Sequence, residues 1–394
     1  MPKSTGSTAL RYISHGTNDL FWFILPLVLP LLLIRYNLSY ARAGGILSYY
    51  LAVTAVGSYF MGLISDRIPR RLIMGFGFYV AAFGLIAAGF AGSFPLFLIF
   101  LGITGIGVST FHPAMYAHID ETFKDNKGRI LGAYEASGTA AILLMFFLNG
   151  ALLGHIGTRG VMTVTAVPAL IMGTLLIKSR AMDAGIIQSV RPAAHEKEGD
   201  QNRHPPVILF MLFLLSIVLR IASVMAVLNF LPTIFTDHFG LPADHAAWAS
   251  GLFFAGGIIG SFAASRFSRT DRSYRILILG SVLLAPLVAA MALDVPMIVH
   301  YITVVILGGI GSGLVINQNL ILTKLGSRFG KGEAFGILMA VMTLSQSISP
   351  ALFGLSVDKW GFPISLLIFS LPVLGSAGLL AVLSERIINI TRPR

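Results

Sequence analysis

Twelve stretches of predominantly apolar residues dominate this sequence, at approximately 12–34, 43–65, 71–92, 95–119, 128–153, 160–178, 206–235, 245–266, 274–293, 297–323, 332–356 and 362–384. Each matches the roughly 20 residues an α-helix needs to cross a bilayer, where backbone groups can hydrogen-bond only within their own segment. Charged residues make up only 11% of the chain, whereas a soluble domain carries about 25%. The expected fold is therefore an all-α membrane protein with twelve transmembrane helices, joined by short polar or Gly/Pro-marked loops. The first run follows a short polar arm, Met1 to Leu10, with no small-residue cleavage site after it, so it reads as a retained helix.

The net charge of +11 raises the question of nucleic acid, and the placement of the basic residues answers it. Arg35, Arg42, Arg159 and Lys359 fall in odd-numbered loops and Arg220 falls inside a span; all other Lys and Arg lie at the termini or in even-numbered loops. That bias is the positive-inside rule, which puts both termini in the cytoplasm of a multi-pass protein. The expected location is a bacterial inner membrane, with lipids as partners and no role for nucleic acid. The absence of cysteine excludes disulfides, thiolate metal sites and cysteine nucleophiles.

Residues 179–205 mix charged and amide side chains with proline and show no apolar period, so they read as a cytoplasmic linker. They divide the chain into an N-terminal six-helix bundle, 1–178, and a C-terminal one, 206–394. The halves share a glycine pattern: Gly105, Gly107, Gly128, Gly132, Gly150 and Gly157 align with Gly309, Gly311, Gly332, Gly336, Gly354 and Gly361, and Lys127 with Lys331. Nearer the start of each half, Gly57 pairs with Gly256 and Arg67 with Arg266. Two pseudo-symmetric bundles follow, and such repeats about an axis normal to the membrane imply a central cavity exposed alternately to either side.

After the second span stands Gly62-Leu63-Ile64-Ser65-Asp66-Arg67-Ile68-Pro69-Arg70-Arg71. It resembles the loop signature of the major facilitator superfamily, Gly-x-x-x-Asp-Arg-x-Gly-Arg-Arg, with Pro69 in place of the second glycine. A degenerate copy, Ser261 to Arg266, carries Ser265 where the acid would stand. The resemblance implies the major facilitator fold, a monomer, and a conformational gate of Gly62, Asp66, Arg67, Arg70, Arg71 and Arg129. In that gate Asp66 holds Arg129 or caps the helix that starts near Gly332. The alternative is that Arg67, Arg70 and Arg71 anchor the loop to anionic headgroups. A narrower resemblance, to the fosmidomycin-resistance-like branch, rests on His15-x-x-Asn18-Asp19, Leu25-Pro26, Leu38-Ser39-Tyr40 and Phe111-His112-Pro113-Ala114. It implies proton-driven export of small, often anionic antibacterial compounds.

Ionisable groups inside spans are costly, by about 2.5–3.5 kcal/mol on insertion scales, so those retained should face protein or a water-filled cavity. Asp19, His112 and Glu135 all fall roughly 10 Å inside the cytoplasmic face. His15 and Asp19 share one helix face at i,i+4. Asp19, Glu135 and His15 are the candidates for proton coupling. The candidates for substrate binding are Arg220, His112, Asn18, Asn317, Gln318, Gln346 and Trp22. Each has a structural alternative: His112 or Glu135 can simply satisfy a neighbouring helix, and Arg220 can pair with Asp19 or with carbonyls instead of an anionic solute. Pro113 should bend the fourth span.

The function these readings favour is secondary active transport of a small organic solute, proton-coupled and outward, with no cofactor and no metal. The competing transport reading is proton-coupled import of an anionic nutrient or siderophore. A membrane-embedded enzyme is disfavoured, since no nucleophile elbow, paired metal-ligand motif or phosphate loop is present. A non-transporting sensor is disfavoured too, since it would normally add a soluble output domain and neither terminus is expected to be long enough for one.

Overall fold

A computed structural model describes residues 5–65, 67–123, 127–183, 206–268, 270–325 and 331–391. Asp66 lies outside the described residues, as do the side chain of Arg129 and most of the linker. The described residues form helices joined by short turns: α1 (Thr5–Tyr36), α2 (Tyr40–Ser65), α3 (Arg70–Phe90), α4 (Phe94–Ser109), α5 (Phe111–Thr122), α6 (Lys127–Lys178), α7 (Val207–Thr233), α8 (Ala243–Phe267), α9 (Thr270–Ala290), α10 (Met297–Leu325) and α11 (Lys331–Thr391). Ten helical segments among them are long and apolar enough to cross a membrane.

Two of the helices are far too long for one crossing, with 52 residues in α6 and 61 in α11. At about 1.5 Å per residue each exceeds twice the ~30 Å of hydrocarbon. Each is in fact two helices joined at a kink. The break falls at Gly157 (φ 59°, ψ −171°) in α6 and at Gly361 (φ 75°, ψ 171°) in α11. That region of backbone space is essentially open to glycine alone. The two residues are the pair that the internal repeat aligns, so the repeat is written into backbone geometry as well as composition.

The bend expected in the fourth span is also present. The helix stops at Ser109 and restarts at Phe111, with the Thr110 N–H donating to the Gly107 carbonyl at 3.3 Å. A proline ring clashes with the carbonyl four residues earlier, which for Pro113 is Ser109.

The chain forms two compact units. The first draws on residues 1–38, 49–196 and 241–248, the second on 39–48, 197–240 and 249–394. In the first, α3 is tied to the second half of α6 by the Tyr79 hydroxyl against Thr174 Oγ1 at 2.7 Å and by Arg71 donating to the Ile177 carbonyl at 2.6 Å. Arg35, at the end of α1, donates to the Gly89 and Ala91 carbonyls at 2.8 and 2.7 Å, closing the C-terminus of α3.

In the second unit, α7 and α9 reach α11 through the Ser223 and Tyr274 hydroxyls, which donate to the Phe369 and Leu380 carbonyls. Asp358 caps the first turn of α2, accepting the Tyr40 and Ala41 N–H groups at 2.9 Å each, while the Tyr40 hydroxyl donates to Asp237 at 3.0 Å. The sequence reading had singled out neither acid. Opposite the packed faces, large apolar side chains such as Tyr59, Phe60, Leu371 and Val382 are exposed, the surface lipid requires.

Close helix approach in the second unit depends on small residues. A Cβ at Gly256 would strike the Val305 backbone, one at Gly260 the Gly309 backbone, and one at Gly308 the Phe253 carbonyl. In a bilayer such contacts replace the hydrophobic drive that water supplies elsewhere. Gly260→Leu is expected to separate α8 from α10 at a cost of about 1–3 kcal/mol or more. It should lower the melting temperature in detergent, whereas Phe262→Leu on an exposed position should leave it nearly unchanged.

Candidate functional site

In the first unit one polar cluster joins α1, α5 and the first half of α6. His15 is buried, its ring stacked on Tyr134 at 3.6 Å between centroids. Its Nδ1 lies 2.7 Å from the Tyr134 carbonyl oxygen and 3.4 Å from Ser137 Oγ. The other ring nitrogen, Nε2, faces Asp19 Oδ2 at 3.4 Å, the i,i+4 relation read from sequence. His112 brings its own Nε2 to the second Asp19 oxygen at 3.5 Å, while its Nδ1 lies 3.4 Å from the Tyr134 hydroxyl. Asp19 therefore sits between two imidazoles, and Tyr134 supports both, one through its backbone and one through its side chain.

Trp22 and Asn18 complete one wall. The Trp22 indole lies 5.9 Å from the His112 ring and its N–H donates to Asn18 Oδ1 at 3.4 Å; the Asn18 amide donates to the Val108 carbonyl at 3.3 Å. Glu135 accepts the Tyr116 hydroxyl at 2.5 Å, and the Tyr116 ring stacks on His112. Tyr116 was missed in the sequence because a tyrosine near a span end reads as an interface anchor. Its place four residues beyond His112 on the same helix was the available signal.

The cluster needs a glycine at 138. A Cβ there would overlap the Asp19 carboxylate and crowd the His15 ring edge. The same α1–α6 contact is tight at Gly16, where a Cβ would press on Ala141.

The second unit holds the other set of candidates. Arg220 is 3% exposed, and Nη2 donates to Gln318 Oε1 at 2.5 Å. Among the described residues of its own unit no carboxylate pairs with Arg220. Gln318 in turn donates to Met342 Sδ at 3.7 Å. Asn317 spends its amide hydrogens on its own helix, at the Gly313 carbonyl, and leaves Oδ1 buried without a hydrogen-bond partner. Gln346 is half-buried.

Of the gate residues, Gly62 is half-buried and Arg67 exposed in the turn that follows α2. Arg70 is buried, and Arg71 donates to the Ile177 carbonyl at the C-terminus of α6.

The Major Facilitator Superfamily model matches residues 12–326 and, in a second alignment, 212–387. A probable hexose phosphate transport protein of Chlamydia trachomatis is 25% identical over 195 residues, covering 48% of this chain and 41% of the relative. The multidrug resistance protein MdtM of Escherichia coli O157:H7 is 25% identical over 247 residues, covering 61% of this chain and 59% of the relative. The chain thus aligns with about half the length of these relatives. A bacterial homologue of the human lysosomal transporter Spinster, solved in an inward-facing and occupied conformation, superposes with a TM-score of 0.81 at 13% identity over 100% of this chain and 99% of that one. At that identity the likeness is one of fold.

The Gly138 contact is open to a double-mutant cycle. Gly138→Ala should destabilise the protein by about 1–3 kcal/mol. In an Asp19→Ala background the loss should shrink by at least about 0.5 kcal/mol, because the carboxylate it strikes is gone. Equal losses in both backgrounds, read from melting in detergent, would contradict the contact.

Proposed function

This chain belongs to the Major Facilitator Superfamily, and from that premise we propose that it is a secondary active transporter moving a small organic anion by alternating access, outward and coupled to protons. The observation that carries the reading is Arg220. A guanidinium is always charged, and this one is buried in a span with a neutral amide as its hydrogen-bond partner. An uncompensated buried charge is costly, and an anionic solute is the partner that relieves it. Asn317 Oδ1, a buried acceptor without a donor, suits a hydroxyl or amine on the same class of solute. Gln318 and Gln346, in the same unit as Arg220, are proposed as further polar contacts for the solute, and Asn18, His112 and Trp22 remain candidates within the first unit.

The coupling proton is assigned to the carboxylates of the first unit, Glu135 and Asp19, with His15 alongside. Glu135 already accepts a short hydrogen bond from Tyr116, whose ring stacks on His112, which sets it beside the His112–Asp19 group. Counting α6 and α11 as two crossings each gives twelve spans, with both termini on the cytoplasmic side of a bacterial inner membrane, as the scarcity of Lys and Arg in the outer loops supports. The gate of Gly62, Asp66, Arg67, Arg70, Arg71 and Arg129 would set the balance between conformations, and the working unit is taken as a monomer. The relatives' names, one a hexose phosphate transport protein and one a multidrug resistance protein, support an anionic solute and outward movement respectively.

A panel of organic phosphates and carboxylates should contain compounds that raise the melting temperature of the purified protein. Hydrogen bonds to charged groups contribute about 1.5–3 kcal/mol, so Arg220→Ala should weaken such binding roughly tenfold to a hundredfold. In proteoliposomes carrying an internal pH dye, the same compounds should drive proton movement that Glu135→Gln abolishes. Import in place of export would reverse the sign of that signal, and binding undiminished in Arg220→Ala would remove the anion site.

A further inference from the structure

The first unit brings together three metal-ligating side chains from two helices, His15 and Asp19 on α1 and His112 on α5, that no paired metal-ligand motif announces. One ligating atom from each of His15, Asp19 and His112 lies within 4.8 Å of the other two. The His15 Nε2–Asp19 and His112 Nε2–Asp19 separations are 3.4 and 3.5 Å. In a tetrahedral site with bonds of about 2.0–2.2 Å, neighbouring ligand atoms stand about 3.3–3.5 Å apart.

A second observation points to a cation. The Tyr134 carbonyl oxygen, 2.7 Å from His15 Nδ1, can only accept, so Nδ1 carries the ring hydrogen. A neutral His15 then turns the bare lone pair of Nε2 toward a carboxylate oxygen at 3.4 Å. Two lone pairs facing each other repel unless a positive species sits between them. Imidazole N–H to a carbonyl on one side and a metal on the other is the usual outer-shell pattern of ligating histidines. His112 likewise turns Nε2 toward Asp19, with the Tyr134 hydroxyl, which can donate or accept, at its Nδ1.

We propose that His15, Asp19 and His112 bind a borderline divalent cation of the Zn2+, Co2+ or Ni2+ class, leaving at least one coordination position open to water or solute. Two imidazoles and a carboxylate disfavour Mg2+ and Ca2+, which take oxygen ligands. The Asp19 and His112 side chains are 16% and 23% exposed, so the cation has a way in. Glu135, linked to the cluster through Tyr116, is a second carboxylate that offsets the charge left after Asp19 is counted. The inference goes beyond solute transport and requires only that water reach the cluster.

The test titrates the untagged full chain in detergent with Zn2+ by calorimetry and with Co2+ by visible absorption. Saturable binding of one Zn2+ and a tetrahedral Co2+ band are expected, with no response to Mg2+. His15→Gln and His112→Gln should each weaken Zn2+ binding at least about tenfold, while His245→Gln, at the exposed His245–Asp244 pair, should leave it unchanged. X-ray absorption of the wild-type Zn2+ complex, which depends on no variant, should show scattering from two imidazoles. An all-oxygen shell, binding that survives both cluster variants, or no Zn2+ binding at all would overturn the proposal, the last leaving a proton as the cation between the lone pairs. Solute-driven proton flux is read separately: flux without Zn2+ binding refutes this inference alone, and Zn2+ binding without flux refutes the transport reading alone.

Discussion

Hydrocarbon offers no water to a polar group, and every feature of this protein that bears on function follows from that. The backbone meets the constraint by becoming helix throughout. The side chains of the cluster in the first unit meet it by convergence, Asp19, His15 and Glu135 each touching a polar group from a different helix. Asp19 has two imidazoles, His15 a carbonyl, and Glu135 a phenol. Tyr134 stands at the centre because it contributes twice, its carbonyl fixing one histidine and its hydroxyl supporting the other.

The convergence requires close helices, and small residues supply them. Gly138 leaves the room that the Asp19 carboxylate occupies, and Gly16 lets α1 settle on α6. Packing and chemistry are therefore not separable at this site. A methyl group placed to improve helix propensity by a fraction of a kcal/mol would instead displace the acid.

Much of this organisation is legible in the sequence. Hydropathy alone marks the spans, Pro113 marks the break in the fourth, and the aligned pair Gly157 and Gly361 marks the two kinks. The His15–Asp19 relation follows from helical spacing. What spacing cannot carry is contact between helices. The approach of His112 to Asp19, the double role of Tyr134, and the partner of Arg220 all depend on rotation and depth of neighbouring helices, which a period of 3.6 leaves free. Asp358 escaped notice for a related reason: an acid in a short loop reads as solvated, and its role as a cap appears only once α2 is seen to begin against it.

The two units differ in how their charge can change. Arg220 holds a fixed positive charge against the neutral Gln318 amide, so in the proposed transport this group can gain or lose an anion without itself changing charge. The first unit is built from groups that exchange protons or other cations, and its charge depends on what occupies the space between Asp19 and the two imidazoles. A carrier needs both properties, one to recognise cargo and one to make its passage conditional on a second species. In the proposed transport cycle affinity lies in the fixed charge and conditionality in the variable one, so coupling would be a difference in occupancy of the first unit between the two sides of the membrane, and direction would follow from which side supplies the occupant.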